Sequence, residues 1–138
     1  MKAARALLIL LPVLAAGCAQ QIASVRPAST PSNALLQSAM DAAARQVRGC
    51  YRSPRIAGAG RQIATRLRIR VAPDGTLSEL PSVMSQTGVG PANQVYARRM
   101  AEAAIQSVVR CAPLRLPEQV YGGDWVEIDL TFSPLAAA

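Results

Sequence analysis

Three cysteines, at positions 18, 50 and 111, and two carboxylates one residue apart, Glu127 and Asp129, are the side chains whose type and spacing offer chemistry beyond packing. The chain has no histidine, which removes Ser-His-Asp and Cys-His nucleophile systems and most catalytic zinc sites, since all of these use an imidazole. Glu127 and Asp129 would share one face of a strand, as residues two apart do. Set opposite arginines, they are read as structural rather than as an acid-base pair. Gly58-Ala59-Gly60 lacks the Gly-Lys-Ser/Thr element that seats phosphates in a nucleotide-binding loop. On these grounds no catalytic residue, cofactor or metal site is expected, and the chain is read as a binding protein rather than an enzyme.

The elements around these residues begin with an export signal. Lys2 and Arg5 precede the apolar run Ala6 to Ala16, which contains Pro12 and ends in small residues before Gly17-Cys18, the outline of a secretory signal peptide over residues 1–17. A membrane span needs about 20 apolar residues. This run gives way at once to Gln20 and Gln21, so a retained transmembrane helix is not expected. Leu14-Ala15-Ala16-Gly17-Cys18 resembles the bacterial lipobox, in which the cysteine becomes the lipidated N-terminus after cleavage. It departs from that pattern at Ala15, where the family prefers Leu, and ordinary signal-peptidase cleavage after Gly17 is the alternative. The resemblance implies lipid attachment at Cys18 and a place on the periplasmic face of a membrane, the outer membrane by the absence of Asp at Ala19. Several acyl chains, each contributing about 0.8 kcal/mol per buried methylene, make such an anchor permanent. Residues 18–31 are read as anchor and flexible tether, and the Pro- and Ser-containing stretch from 19 to 33 spans at most about 50 Å, at roughly 3.3 Å per residue.

The formal charge of the 138-residue chain is +7, and loss of Lys2 and Arg5 with the signal peptide would leave about +5. All remaining basic residues are arginine, and those at 45, 48, 52, 55, 61, 66, 68 and 70 precede the late acids Glu118, Asp124, Glu127 and Asp129. An uneven distribution of this kind marks either a polyanion-binding face or complementary segments that pair inside one sheet. The second is favoured.

Residues 32–134 are read as one folded domain. Leu36, Met40, Ala43, Val47 and Cys50 recur in steps of four and three after a capping Ser32 or Asn33, which predicts a first helix ending near Gly49 and barred by Pro54. Ile63, Thr65, Leu67, Ile69 and Val71 alternate with Gln62, Ala64, Arg66, Arg68 and Arg70, a half-buried strand. Pro73-Asp74-Gly75-Thr76 is a turn, followed by a second strand over about Leu77 to Ser85 in which Pro81 marks an edge or a bulge. Pro91 suits the first turn of a second helix that runs to about Arg110 and buries Tyr96, Met100, Ala103, Ala104 and Val108. Val126, Ile128, Leu130 and Phe132 alternate with Trp125, Glu127, Asp129 and Thr131 as a third strand. The expectation is an α+β fold of order α-β-β-α-β, its three antiparallel strands arranged 2-1-3 and both helices on one sheet face. That order sets Arg66, Arg68 and Arg70 against Glu127 and Asp129, cross-strand pairs contributing roughly 0.2 to 1 kcal/mol each.

With Cys18 assigned to lipid, Cys50 and Cys111 form an even pair in an exported chain and are expected to be joined, pinning the two helix ends. Two buried free thiols or a two-thiolate metal site are the alternatives; two thiolates without histidine rarely complete a zinc site.

Taken together, Cys50-Tyr51 with Pro54, the strand Arg66-Leu67-Arg68-Ile69-Arg70-Val71, the turn Pro73-Asp74-Gly75-Thr76, Arg110-Cys111-Ala112-Pro113 with Leu116-Pro117, and Tyr121 leading to Trp125 through Phe132 and Pro134 resemble the C-terminal domain shared by TonB and TolA. The match covers about residues 40 to 134, and the Cys-Ala-Pro and Leu-Pro spacing is similar to the TolA type. The resemblance implies a periplasmic domain that grips envelope partners, an outer-membrane receptor or a Tol-type component, by adding a strand to its sheet edge. The edge expected to do so is Trp125, Val126, Glu127, Ile128, Asp129, Leu130, Thr131 and Phe132; a solvated edge guarded by its charges is the alternative. The chain lacks the inner-membrane helix and long spacer of the family's energy transducers, so a tethered adaptor fits better than a transducer. A competing reading is an electrostatic binder of anionic lipid or nucleic acid through Arg45 to Arg70. Sparse aromatic residues and the export signal weigh against nucleic acid as a partner. Monomer and strand-exchanged homodimer are both compatible with the sequence.

Overall fold

The structure, a computed structural model, describes residues 30–56 and 58–134; the signal segment, Cys18 and most of the tether lie outside the described residues. Helix α1 spans Asn33–Cys50, and Ser32 caps it, its hydroxyl accepting from the Leu35 amide at 3.3 Å. Its buried face is Ala39, Ala43 and Val47, with Leu36 and Met40 packed partly behind them. Strand β1, Ala64–Val71, follows a single 3-10 turn over Gly58–Gln62. The turn starts β1 two residues later than the alternation from Gln62 predicts. Thr65, Leu67, Ile69 and Val71 are fully buried, and the intervening arginines face the other way.

The turn after β1 is built as expected. The Gly75 amide donates to the Ala72 carbonyl at 2.8 Å, and Asp74 accepts from both the amide and the hydroxyl of Thr76. These bonds to Thr76 hold the Asp74 carboxyl below the usual carboxylate range. Gly75 has φ +85, and any Cβ there would collide with the Leu114 carbonyl, so this position requires glycine twice over.

The chain then departs from the expected strand. Leu77 bridges Val71 and the Ser78 amide still bonds the Arg70 carbonyl, but Glu79 to Pro81 leave the ladder before β2, Ser82–Thr87, rejoins β1 at the Arg68–Ser82 pair. Pro81, which has no N–H to give a ladder, falls inside this departure and not within β2. A second irregularity leaves Met84 unpaired between Val83 and Ser85, so β2 is short, irregular and largely exposed.

Helix α2 spans Gln94–Cys111 and starts three residues later than Pro91 suggests. The buried Asn93 side chain sets the start: its amide donates to the carbonyls of Ala59 and Gly88, and its oxygen accepts from the Gly90 amide. Met100, Ala104, Ser107 and Val108 are the buried face, whereas Tyr96 and Ala103, expected inside, are half-buried. A connection containing a 3-10 turn at Glu118–Val120 leads to β3, Val126–Phe132. The sheet order is β2-β1-β3, with both pairings antiparallel. The core lies between one sheet face and the two helices, where Leu67, Ile69 and Val71 meet Ile128, Leu130, Val47, Ala104 and Val108.

Candidate partner-binding edge

Strand β3 has β1 on one side and no strand on the other among the described residues. The direction of its backbone groups follows from β1. The Arg70 carbonyl accepts from the Ser78 amide at 2.9 Å, so Arg70, and by alternation Arg68 and Arg66, turn their backbone groups toward β2. The odd-numbered residues of β1 therefore serve β3 through Val126, Ile128, Leu130 and Phe132, which pair with Val71, Ile69, Leu67 and Thr65. Glu127, Asp129 and Thr131 are left with N–H and C=O groups directed outward, and no loop or turn bond among the described residues meets them.

The side chains divide the same way. Val126, Ile128, Leu130 and Phe132 are in the core, so of the eight residues expected along this edge these four hold the strand in place rather than touch a guest. Thr131 is exposed, and Trp125, just before the strand, keeps 45% of its surface accessible while its ring lies 4.7 Å from the Arg70 guanidinium carbon.

The charged residues form one continuous row on the open sheet face. Asp129 accepts from Arg66 at 2.6 Å and from Arg68 at 2.9 Å; Glu127 accepts from Arg70 at 3.0 Å and lies 3.3 Å from Arg68; Arg70 also reaches Glu79 at 3.2 Å. Three guanidiniums face three carboxylates. The hydrogen bond from Arg68, more than any other cause, holds the Asp129 carboxyl below the usual range, while the same bond raises the Arg68 pKa. Both groups are therefore ionised at neutral pH. Trp125 extends this row as the alternation of the third strand expects, whereas Glu79 is the member that strand periodicity does not reveal, because it belongs to the irregular segment before β2.

Helix α1 flanks β3, and two hollows open between them. One, a cavity of about 70 Å³ beside the end of β3, is lined by Val47, Arg48, Tyr51, Thr131 and Phe132 among others. The other, a shallow depression of about 500 Å³, lies where Leu36 faces Trp125 and Val126. Tyr51 packs its ring 5.8 Å from that of Phe132, and its hydroxyl is buried without a hydrogen-bond partner among the described residues. Burial raises the tyrosine pKa.

Cys50 and Cys111, the last residues of the two helices, are joined by a disulfide with Cα atoms 5.6 Å apart. A clamp not evident from sequence supports it: the Gln46 side chain accepts from the Arg115 amide at 2.8 Å and donates to the Arg115 carbonyl at 2.7 Å. Comparison with models of known protein families, with curated protein sequences and with solved structures gives no match to this chain.

Proposed function

We propose that this chain is a protein-binding domain of the TonB/TolA type, carried on a lipid-anchored envelope protein, that holds an extended segment of a periplasmic or outer-membrane partner as a fourth strand beside β3. The observation that carries this reading is the outward-facing backbone of Glu127, Asp129 and Thr131, unpaired among the described residues. A strand that leaves donors and acceptors free in a row is a template for another chain. The hollows along α1 would accept alternate side chains of the guest, and the charge row, being internally neutralised, would fix the register of β3 rather than repel a partner. The side-chain arrangement supports binding more than catalysis, since Glu127 and Asp129 are held by arginines.

Capture of partners from solubilised envelope, with Thr131→Pro beside the unaltered domain, tests the reading. Proline at 131 removes one outward N–H and no bond to β1. The expected result is recovery of an envelope protein by the unaltered domain and at least ten-fold less by Thr131→Pro, with thermal stability retained. Equal recovery by both proteins would refute strand addition at this edge.

A further inference from the structure

The arginine-rich first half of the sequence does not form one surface. Arg66, Arg68 and Arg70 are neutralised by Asp129, Glu127 and Glu79, and Arg98 by Glu102. Arg45, Arg48, Arg52 and Arg55 are all exposed, and none lies within 4.0 Å of a carboxylate among the described residues. Two more join them from the far end of the sequence. Arg110 donates to the Cys50 carbonyl at 3.2 Å, and Arg115 is fastened through its backbone to Gln46. The disulfide and the Gln46 clamp thus bring Arg110 and Arg115 to the C-terminal end of α1, which carries Arg45 and Arg48 and is followed two residues later by Arg52, five arginines in all; Arg55 instead adjoins Ile56, which packs with Gly60 and Tyr96 toward the N-terminal end of α2. Arg48 and Arg110 sit in last turns, where they complement the negative ends of the helices. Arg45, Arg52 and Arg115 have no such duty.

We infer that this pole of the domain docks on the surface of a bilayer rich in anionic phospholipid, separately from the edge of β3. Guanidiniums bind phosphate oxygens in pairs and shed water more readily than ammonium groups, and the described residues contain arginine but no lysine. A membrane fits better than a nucleic acid because Tyr51, the aromatic residue among these arginines, has its ring packed on Phe132 and offers no stacking platform. The geometry also permits docking beside the chain's own anchor. The described chain begins at the opposite end of α1, about 27 Å from this pole at 1.5 Å per residue. A tether of up to about 50 Å spans that distance. The docking does not depend on strand addition, and either can fail without the other.

The test is co-sedimentation of residues 19–138, which keep every core residue from Ala39 to Phe132, with vesicles of phosphatidylcholine alone or mixed equally with phosphatidylglycerol. Binding to the mixed vesicles is expected to fall steeply between 50 and about 300 mM salt, as exposed charges are screened. Each arginine removed should weaken it about five-fold, and joint replacement of residues 45, 48 and 52 by Gln about 100-fold. Arg61→Gln with Arg99→Gln, elsewhere on the surface, should have a much smaller effect than Arg45→Gln with Arg48→Gln. Circular dichroism establishes that each variant is folded. Equal binding to phosphatidylcholine, equal effects of the two double replacements, or tighter binding to duplex DNA than to the mixed vesicles would each overturn the inference.

Discussion

Asp129 holds the most connected position on the open sheet face, receiving Arg66 and Arg68 while its own side chain is only 17% exposed. Replacing it by Asn keeps the shape and removes the charge. Because Arg66 is 55% exposed, solvent screens part of the attraction, and a loss of about 1 kcal/mol at pH 7 is expected. The pH dependence has a definite sign. A carboxyl whose folded pKa lies below its unfolded value, about 3.9, stabilises the fold fully above that value and ceases to do so as pH falls through the folded pKa. Denaturant titrations should therefore show Asp129→Asn less stable than the unaltered protein at neutral pH, with the difference disappearing under strong acid. A difference that persisted unchanged at pH 2 would remove the ion pairs as its cause. At the turn, Gly75→Ala forces a side chain into the left-handed region and against the Leu114 carbonyl, so a loss of more than about 1 kcal/mol in the same titration is expected.

At the scale of elements, the disulfide closes the span between the two helices, a sequence separation of 61. Chain-entropy reasoning gives an upper value of about 4 kcal/mol for a loop of that length. Cys50→Ser with Cys111→Ser should lower the thermal midpoint markedly, and reductant should do the same to the unaltered protein while leaving the variant where it is. The two helices and the buried faces of β1 and β3 are legible in the sequence, because each depends on a repeat of three to four or of two carried through seven or more residues, and the 2-1-3 order follows from a hairpin succeeded by a helical crossover. What escapes is aperiodic. β2 slips from the expected 77–85 to Ser82–Thr87, since Pro81 signals an edge or a bulge but nothing in the mixed sequence sets how far the chain leaves β1 there. The start of α2 is governed by the buried bonds of Asn93 rather than by Pro91, and the Gln46 clamp joins residues 69 apart. At the candidate site, periodicity locates the strand and its charge pairs. Which backbone groups face outward depends on the hairpin bond from Ser78 to Arg70, and so on the fold.

The whole molecule separates its arginines by role: one set locks β3 to β1, and a second gathers at the disulfide-bonded pole. The open edge of β3 and the basic pole meet near Arg48, which lines the cavity at the end of β3. A domain so arranged could hold a partner's segment along one side while resting on lipid at one end. Amide hydrogen exchange with and without the captured envelope partner tests the strand-binding account most directly. In the free protein the amides of Glu127, Asp129 and Thr131 should exchange fast while those of Ile128 and Leu130 are protected by β1, and the partner should slow the first three. Slow exchange at those three amides before any partner is added, or fast exchange with the partner in place, would contradict it.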